Sequence, residues 1–300
     1  MVNIKHTLVC TALAACPVFA NAEQVVVNLT QAGTLSSVIT EERKYEITDM
    51  KITGELNGDD IFLIRDLGDS YNLENLDISE AKIVSGGQAY FTLDEEHFTA
   101  DNEIGDYMFY SLEKLKSIKL PKSATKIGDH AVQDCQFLQT VELPASLTSI
   151  GKEAFMSCYA ITEIEFPATL KTIGDAAFAY CELTTVTLPA SVTKIGDNCF
   201  YQRNISLYLQ GTVPPEPGAY MMGYDAKVYV PKGSIDAYRT TGWDVYDLYE
   251  YEPTGIQGAV IDNADGTTTY YTLDGQKTDT PQKGIYIIRQ EDGTTRKAAF

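Results

Sequence analysis

A motif that recurs along the middle of the chain limits the folds that this sequence can adopt. An apolar residue, two variable residues and an apolar-x-apolar-Pro segment return in four copies, which end at Pro121, Pro144, Pro167 and Pro189. These prolines lie 23, 23 and 22 residues apart. A fixed period of roughly 20 to 50 residues is typical of proteins built from stacked repeats. The sequence therefore predicts a mainly β solenoid with repeats of about 23 residues.

A second constant element lies between these segments. It is an Ile-Gly step followed by a bulky core residue and a small one, and its copies begin at Ile104, Ile127, Ile150, Ile173 and Ile195. The apolar-x-apolar segment alternates as a strand does, and proline ends it because proline lacks the backbone donor that a neighbouring strand needs. We expect the glycine to allow a sharp change of direction, since glycine adopts backbone angles that other residues avoid.

The pattern L-P-x-S-(L/V)-T-x-I-G-x-x-A-F-x-x-C, found here at residues 143–158, resembles the BspA-type leucine-rich repeats of secreted and surface proteins from Bacteroidetes and some other microbes. Segments 54–60 and 228–238 are similar to the N-terminal and closing parts of such arrays. The resemblance implies a leucine-rich-repeat fold and adhesion to host matrix proteins or other bacteria. It does not identify the ligand, because repeat scaffolds carry many different sites.

The first 22 residues are identified as a secretory signal peptide. A short apolar run ends in the A-x-A cleavage site Ala20-Asn21-Ala22. Residues 13–16 also fit a bacterial lipoprotein box with Cys16 as the lipidated residue, but the apolar run continues after Cys16 where a polar tether is expected. We therefore expect cleavage after Ala22, with a lipid anchor on Cys16 as the alternative.

The remaining chain is predicted to form three parts. Residues 23–103 are expected to form an N-terminal cap with an irregular repeat, because the open end of a stack needs a closing element. Residues 104–252 are expected to form the leucine-rich-repeat solenoid and its C-terminal cap. Residues 253–300 are expected to form a small β module, and residues 270–300 are similar to type IX sorting domains.

The charge of the chain excludes some classes of partner. The net charge is −19, and it becomes −20 without the signal peptide, where Lys5 is the one formally charged residue. Such a surface repels nucleic acid and anionic lipid, which bind to basic patches. No later segment reaches the roughly 20 apolar residues of a transmembrane helix. We expect a protein secreted or held at the cell surface (outer membrane or extracellular) of a Gram-negative bacterium.

Three cysteines occupy one repeat position and are expected to stack on adjacent coils: Cys135, Cys158 and Cys181. Pairing into disulfides is common outside the cell, but cysteine also serves as a small buried filler, and we favour a buried, reduced row. A zinc site that includes His130 lacks a second nearby histidine or a C-x-x-C motif. The sequence therefore predicts no metal and no cofactor.

Motifs of catalysis are absent from the sequence. It contains no G-x-S-x-G, H-E-x-x-H, P-loop or G-x-G-x-x-G pattern. His97 follows three acidic residues at 94–96, a segment that reads as a solvated loop rather than a cation site. Paired carboxylates for glycoside hydrolysis cannot be singled out among 42 acidic residues. We predict a protein that is not an enzyme and has no catalytic residues.

The outward side chains of the repeated strands are the predicted binding residues. Between the apolar positions of each strand stand residues that face solvent, and stacking places them in continuous rows: Ser117, Lys119, Thr140, Glu142, Glu163, Glu165, Thr185 and Thr187. Tyrosines near the corners are alternative contact residues: Tyr159, Tyr180 and Tyr201. The predicted function is a non-catalytic protein-binding module, with host extracellular matrix as a candidate partner. The alternatives are an envelope scaffold and a glycan-binding or glycan-degrading accessory.

Overall fold

The computed structural model describes residues 24–202, 204–223 and 225–252 in full, and beyond them the backbone of Glu23 and of five strands between residues 256 and 299. The chain divides into two compact units, Met1–Glu250 and Tyr251–Phe300. The predicted signal peptide and the alternative lipidation site at Cys16 lie outside the described residues.

Short strands dominate the described part of the first unit. In chain order they are β1 (Glu23–Asn28), β2 (Ile47–Leu56), β3 (Asn75–Asp77), β4 (Ala81–Ile83), β5 (Gly86–Thr92), β6 (Glu96–Thr99), β7 (Glu103–Ile104), β8 (Ser117–Lys119), β9 (Lys126–Ile127), β10 (Thr140–Glu142), β11 (Ser149–Ile150), β12 (Thr172–Ile173), β13 (Thr185–Leu188), β14 (Lys194–Ile195), β15 (Ser206–Leu209), β16 (Lys227–Pro231) and β17 (Asp247–Tyr251). The α-helices are α1 (Gly58–Asp69) and α2 (Ile235–Arg239), and 3-10 turns cover Leu35–Ser37 and Arg43–Tyr45.

Equivalent strands of successive repeats pair side by side. One sheet has the order β1-β2-β3-β8-β10, with β4 also paired to β2, and another has the order β13-β15-β16-β17. Val141 pairs in parallel with Ile118, 23 residues before it, and Leu207 pairs with Val228, 21 residues after it. The parallel pairing of strands about one repeat apart fits the repeating β-rich fold that the sequence predicts.

The Ile-Gly steps form a second row of strands that the sequence analysis did not predict. Strands of two residues, each ending in the isoleucine of the step, build a parallel sheet with the order β14-β12-β11-β9-β7. Ile150 pairs with Ile127 on one side and with Ile173 on the other, 23 residues away in each case. Each repeat therefore contributes backbone pairing on two sides of the core.

The strand expected at residues 161–166 does not form, so the predicted row of strands is interrupted. Residues 161–167 lack strand pairing and separate the sheet that ends at β10 from the sheet that begins at β13. Phe166 stands where the other copies have leucine, is half-buried, and packs edge-on against Phe178 with ring centroids 5.4 Å apart.

The repeated glycines have a different role from the one that the sequence suggested. Gly128, Gly151, Gly174 and Gly196 do not adopt the left-handed backbone conformation. A Cβ on Gly174 would lie 2.5 Å from the carbonyl carbon of Gly151 in the preceding coil and 2.6 Å from the backbone nitrogen of Lys152. Glycine is needed at this step because two coils approach closely, and the expectation that it turns the chain by unusual dihedral angles is wrong.

The left-handed conformation occurs two residues after each of these four glycines and after Gly105, the glycine of the first step. The residues are Tyr107, His130, Glu153, Ala176 and Asn198, with φ between 52° and 56°. The backbone N–H of such a residue donates to the following coil, as Ala176 does to the carbonyl of Asp197 (2.7 Å). The N–H of the glycine donates to the preceding coil, as Gly174 does to Ile150 (2.8 Å). The two positions together fix each coil to both neighbours.

The core is built from side chains that repeat in columns. Phe155, Phe178 and Phe200 are fully buried and stacked, with centroids 5.1 Å and 5.6 Å apart and interplanar angles of 6° and 10°. The thiols of Cys135 and Cys158 donate to the carbonyls of Phe109 and Val132 (3.1 and 3.2 Å). The four cysteines of the described region, which also include Cys181 and Cys199, are buried and unpaired.

The buried thiols predict a loss of stability in alkali. Burial raises the pKa of Cys135 and of Cys181 to about 12, whereas an exposed thiol titrates near about 8.5. Below about pH 8.5 the thiols are protonated in both the folded and the unfolded chain. Above it the unfolded chain ionises first, so the free energy of unfolding falls by up to about 4 kcal/mol per thiol as the pH approaches about 12.

Urea unfolding at about pH 8 and about pH 10.5 measures this effect. The variant Cys135→Ala/Cys181→Ala is expected to lose less stability between the two pH values than the unchanged chain. An equal loss in both proteins would show that the thiols are not buried.

A buried carboxylate joins the first loop to helix α1. Asp60 is 1% exposed, and its two oxygens accept from the backbone N–H groups of Gly33 (2.6 Å), Leu35 (2.9 Å) and Asn57 (3.0 Å). The Asn57 side chain caps the helix by accepting from the backbone N–H of Asp59 (3.0 Å). The segment 54–60, which the sequence analysis singled out, therefore contains the structural junction of the N-terminal region.

The second unit contains one sheet in its described backbone. Its strands are β18 (Ile256–Asp262), β19 (Thr268–Thr272), β20 (Lys277–Thr278), β21 (Ile285–Arg289) and β22 (Thr295–Ala299), in the order β20-β19-β18-β21-β22. β18 and β21 run parallel, and the other neighbours run antiparallel.

Candidate functional site

The outward-facing side chains of β2, β3, β8, β10, β13, β15, β16 and β17 are called the strand face here. The structure places six of the eight predicted binding residues on it. Thr140 and Glu142 of β10 pair in register with Ser117 and Lys119 of β8, and β13 of the other sheet carries Thr185 and Thr187. All six are exposed except Ser117, which is half-buried.

The other two predicted residues, Glu163 and Glu165, are exposed but belong to the segment without strand pairing. They follow β10 and precede β13 in the repeat order. The eight residues therefore do not form the continuous row of paired strands that the sequence predicted.

Polar contacts occupy the N-terminal half of the strand face. The Lys119 ammonium lies 3.1 Å from the Glu142 carboxylate, and the hydrogen bond with Glu142 raises the pKa of Lys119. Ser117 donates to the side-chain oxygen of Asn75 (2.6 Å), and Asn75 donates to Asp49 (2.9 Å). A partner that covers this half must replace contacts that these side chains already make with each other.

Three tyrosines continue the strand face at its C-terminal end and form what we call the tyrosine ladder: Tyr208, Tyr229 and Tyr249. Tyr208 pairs in register with Thr187 on one side and with Tyr229 on the other. The rings of Tyr208 and Tyr229 are stacked at 4.4 Å and 7°, and Tyr249 follows at 5.4 Å and 30°. Partial burial raises the pKa of Tyr208, and the neighbouring Tyr229 raises it further.

The sequence analysis missed this ladder although its signal is visible. The segments S-L-Y-L at 206–209 and K-V-Y-V at 227–230 each place a tyrosine between two apolar strand positions, 21 residues apart. Extending the repeat pattern past its last proline would have put both rings on the strand face. The tyrosines predicted as contact residues were instead those near the corners of the repeats.

The corner tyrosines lie in the turns and not on the strand face. Tyr159, Tyr180 and Tyr201 are exposed by 48%, 50% and 41%. Tyr180 and Tyr201 touch edge-on with centroids 6.1 Å apart. They form a second, smaller aromatic surface on another part of the repeats.

An aromatic column near the hairpin β5–β6 has a structural role. The guanidinium of Arg65 lies 4.3 Å from the Phe91 ring centre and donates to the carbonyl of Tyr107 (2.9 Å). Phe91, Tyr107 and His130 follow one another at 5.5 Å and 4.6 Å. Since each ring covers the face of the next, the column holds helix α1, the hairpin and the first turns together.

The described residues hold no group of three or more His, Cys, Asp or Glu side chains placed to bind a metal ion. His97 lies against the rings of Phe91 and Tyr107, and the His130 Nδ1 lies 2.5 Å from the side-chain oxygen of Gln133. Of the helices in the same part of the chain, none has the length and apolar character required to cross a membrane.

Comparison with known proteins identifies the repeats. Residues 89–206 match the family described as "BspA type Leucine rich repeat region" in six copies, a span that begins before the first Ile-Gly step recognised in the sequence. No curated protein matches the chain.

Three solved structures are similar. A leucine-rich repeat protein of T. pallidum is 24% identical over 53% of this chain and 82% of its own, with a TM-score of 0.35. The pneumococcal vaccine antigen PcpA is 17% identical over 69% and 57%, with a TM-score of 0.42. A leucine-rich repeat protein from Bacteroides ovatus is 18% identical over 57% and 61%, with a TM-score of 0.33. This chain thus covers less than two thirds of the length of PcpA and of the Bacteroides ovatus protein.

Repeats of this family are typical of non-catalytic protein-interaction modules. The four copies in the sequence, the paired strands one repeat apart and the family match agree with one another. Residues 89–206 of this chain are a BspA-type leucine-rich repeat region.

Proposed function

We propose that this protein is a non-catalytic, secreted or cell-surface protein-binding module that adheres to host matrix or to other cells through the strand face. In this proposal residues 23–103 cap a solenoid, residues 104–252 form its repeats and C-terminal cap, and residues 253–300 form a small β module of sorting type. Residues 1–22 would direct export as a signal peptide.

The observation that carries the proposal is the arrangement of side chains on parallel strands in register. Neighbouring strands lie about 4.8 Å apart, so exposed residues at one strand position form a row with regular spacing. Thr187, Tyr208 and Tyr229 make one such row. The backbone positions of the row are fixed by sheet pairing, and a rigid surface loses little conformational entropy when it binds a partner. An extended flat row fits another protein's surface better than it fits a small substrate.

The geometry of the tyrosine ladder disfavours the glycan-binding alternative. Sugar rings pack on the open faces of aromatic side chains. One face of the Tyr208 ring and one face of the Tyr229 ring cover each other at 4.4 Å and 7°, so neither of these two faces is open to a sugar, and a partner there meets the edges of the aromatic groups. Such groups suit contacts with protein side chains, in which tyrosine combines apolar area with hydrogen bonding.

The proposal predicts saturable binding by the purified chain, residues 23–300, to at least one member of a panel of extracellular-matrix proteins and mucin at physiological salt. The variant Glu142→Lys/Glu163→Lys/Glu165→Lys is expected to bind at least about tenfold more weakly, which corresponds to about 1.4 kcal/mol. The loss follows because three charges are reversed on the contact surface. Biolayer interferometry measures both proteins.

A control variant carries the same change in net charge in the exposed loops and turns: Glu95→Lys, Glu113→Lys and Glu182→Lys. Its affinity is expected to lie within about twofold of that of the unchanged chain, because salt screens the interaction between a partner and exposed charges that are distant from the contact. If both variants lose binding equally, net charge and not the strand face explains adhesion. If no panel member binds, the adhesion proposal fails and an envelope scaffold becomes the better interpretation.

A further inference from the structure

We infer that the tyrosine ladder is the anchor of the binding surface, and that it receives a protein segment in which lysine or arginine side chains flank an aromatic or aliphatic core. This inference rests on the proposed function and goes further, because it names the part of the strand face that binds and the chemistry of the partner.

The ladder is rigid because its strands are anchored in the core. Tyr208 and Tyr229 follow Leu207 and Val228 in their strands, so the side chains of each pair lie on opposite faces of the sheet. Leu207 and Val228 are fully buried. The two tyrosine rings are further held by their mutual stacking at 4.4 Å. Aromatic side chains with fixed rotamers lose little entropy on binding, which is why tyrosine often serves as an anchor residue in protein interfaces.

The ladder differs in polarity from the other half of the strand face. There, Lys119 and Glu142 lie 3.1 Å apart, and a partner that covers such a pair must remove both charges from water. The positions Thr185, Thr187 and Tyr208 carry hydroxyl groups without formal charge. Covering them costs less desolvation, so the contact is expected to centre on the C-terminal half.

Carboxylates surround the ladder and set the charge of its partner. Glu163 and Glu165 precede it in the repeat order, and Asp247 and Glu250 of β17 lie at its other end; all four are exposed. The cationic side chains in this region include Arg239, which lies 3.9 Å from Asp236, and Lys227, which is exposed on the same side of β16 as Tyr229; the four carboxylates outnumber these two. The chain as a whole has a net charge of −19. A basic partner is favoured both at long range and in the contact.

A depression at the end of the ladder supplies a place for one basic side chain. It is open to solvent, and it is lined by Arg239, Asp244, Tyr246, Asp247, Leu248 and Tyr249. Tyr249 belongs to the depression and to the ladder. An ammonium or guanidinium group there would share the depression with two carboxylates and with two aromatic rings, which attract cations. The two carboxylates outnumber the one guanidinium of the lining, Arg239, which lies 3.9 Å from Asp236. The aromatic or aliphatic core of the partner would then lie along Tyr229 and Tyr208.

Two synthetic peptides of equal length test the partner chemistry on the intact chain, residues 23–300. Both have a Leu-Tyr-Leu core, which is flanked by lysines in one peptide and by glutamates in the other. The lysine peptide is expected to bind saturably, and the glutamate peptide at least about tenfold more weakly. Equal binding of the two peptides, or no binding of the lysine peptide, would overturn the inference.

Three variants locate the binding, and a fourth is a control for folding. Tyr208→Ser/Tyr229→Ser and Asp244→Asn/Asp247→Asn are each expected to weaken the lysine peptide at least about tenfold, and Tyr159→Ser/Tyr180→Ser is expected to leave its affinity within about twofold. Tyr208→Phe/Tyr229→Phe keeps the stacked rings and is expected to retain binding, which guards against a folding defect in the serine variant. Loss of binding in the corner variant and not in the ladder variant would overturn the inference.

The matrix-protein panel separates this inference from the proposed function. If the ladder variants still bind a panel member that the Glu142→Lys/Glu163→Lys/Glu165→Lys variant does not bind, the strand face remains the adhesive surface and the ladder is not its anchor.

Discussion

Gly174→Ala is expected to destabilise the first unit by about 3 kcal/mol or more, although it adds a single methyl group. The new Cβ would lie 2.5 Å from the carbonyl carbon of Gly151, and its close neighbours are backbone atoms. Backbone atoms cannot rotate away as a flexible side chain can. The coils would have to separate, which would lengthen the hydrogen bond from the Gly174 N–H to the carbonyl of Ile150 (2.8 Å).

Ala176→Gly is the matched control, two residues further along the same turn. Ala176 has φ of 52°, where a Cβ costs about 1 to 2 kcal/mol. Glycine removes that cost but gains freedom in the unfolded chain, so the net change is expected to stay within about 1 kcal/mol. Urea unfolding followed by circular dichroism measures both variants. A Gly174→Ala chain as stable as the Ala176→Gly chain would contradict the close approach of the coils.

Asp60→Ala is expected to cost about 4 kcal/mol, because three backbone N–H groups lose a charged acceptor in a buried place. Hydrogen bonds to charged groups contribute about 1.5 to 3 kcal/mol each, and the three share one carboxylate, so their contributions do not add fully. The loss should appear first in the loop at residues 33–35 and the start of helix α1. Hydrogen exchange of Gly33, Leu35 and Asn57 measures it locally.

Two milder changes at the same helix serve as controls. Asp60→Asn keeps the volume and one acceptor oxygen and is expected to lose about half as much stability. Asp59→Asn alters a carboxylate whose contact with the Gln88 N–H is long (3.3 Å) and exposed, and is expected to cost less than about 1 kcal/mol. A similar cost for Asp59→Asn and Asp60→Ala would contradict the anchoring role of Asp60.

The repeat period could be read from the sequence because it depends on apolar residues and prolines at fixed spacing. Those residues face the core or follow a strand in most copies, so their pattern translates directly into packing. Helix α1 follows the same rule, because its buried residues Ile61, Ile64 and Leu67 stand at helical spacing.

The purpose of the repeated glycines could not be read from the sequence. Every repeat has glycine at this position. Glycine would be required there either to turn the chain or to let another backbone approach closely, and the sequence does not distinguish these two requirements. The distance from Gly174 to Gly151 distinguishes them. The left-handed residues are chemically diverse, from Tyr107 to Ala176, so no residue type indicates their position.

The site was predicted less completely than the fold. Phe166 fits an apolar pattern as well as leucine does, so the pattern of apolar positions gives no sign of the interruption at residues 161–167. Tyr208 escaped notice because its strand is followed by Gln210 and Gly211 and lacks the proline boundary, so the strand with Tyr229, which ends at Pro231, stood apart from the regular series. The eight predicted binding residues stay a prediction.

Hydroxyl-radical footprinting of the intact chain, with and without a matrix protein from the panel that binds it, tests most directly whether the strand face is the adhesive surface. The rate of side-chain oxidation, read by mass spectrometry, falls where a partner excludes solvent. We expect at least about threefold protection of Tyr208, Tyr229 and Tyr249 on binding, with unchanged oxidation of Tyr159 and Tyr180. Protection of the corner tyrosines with an unprotected ladder would show that the partner binds elsewhere and would contradict the account.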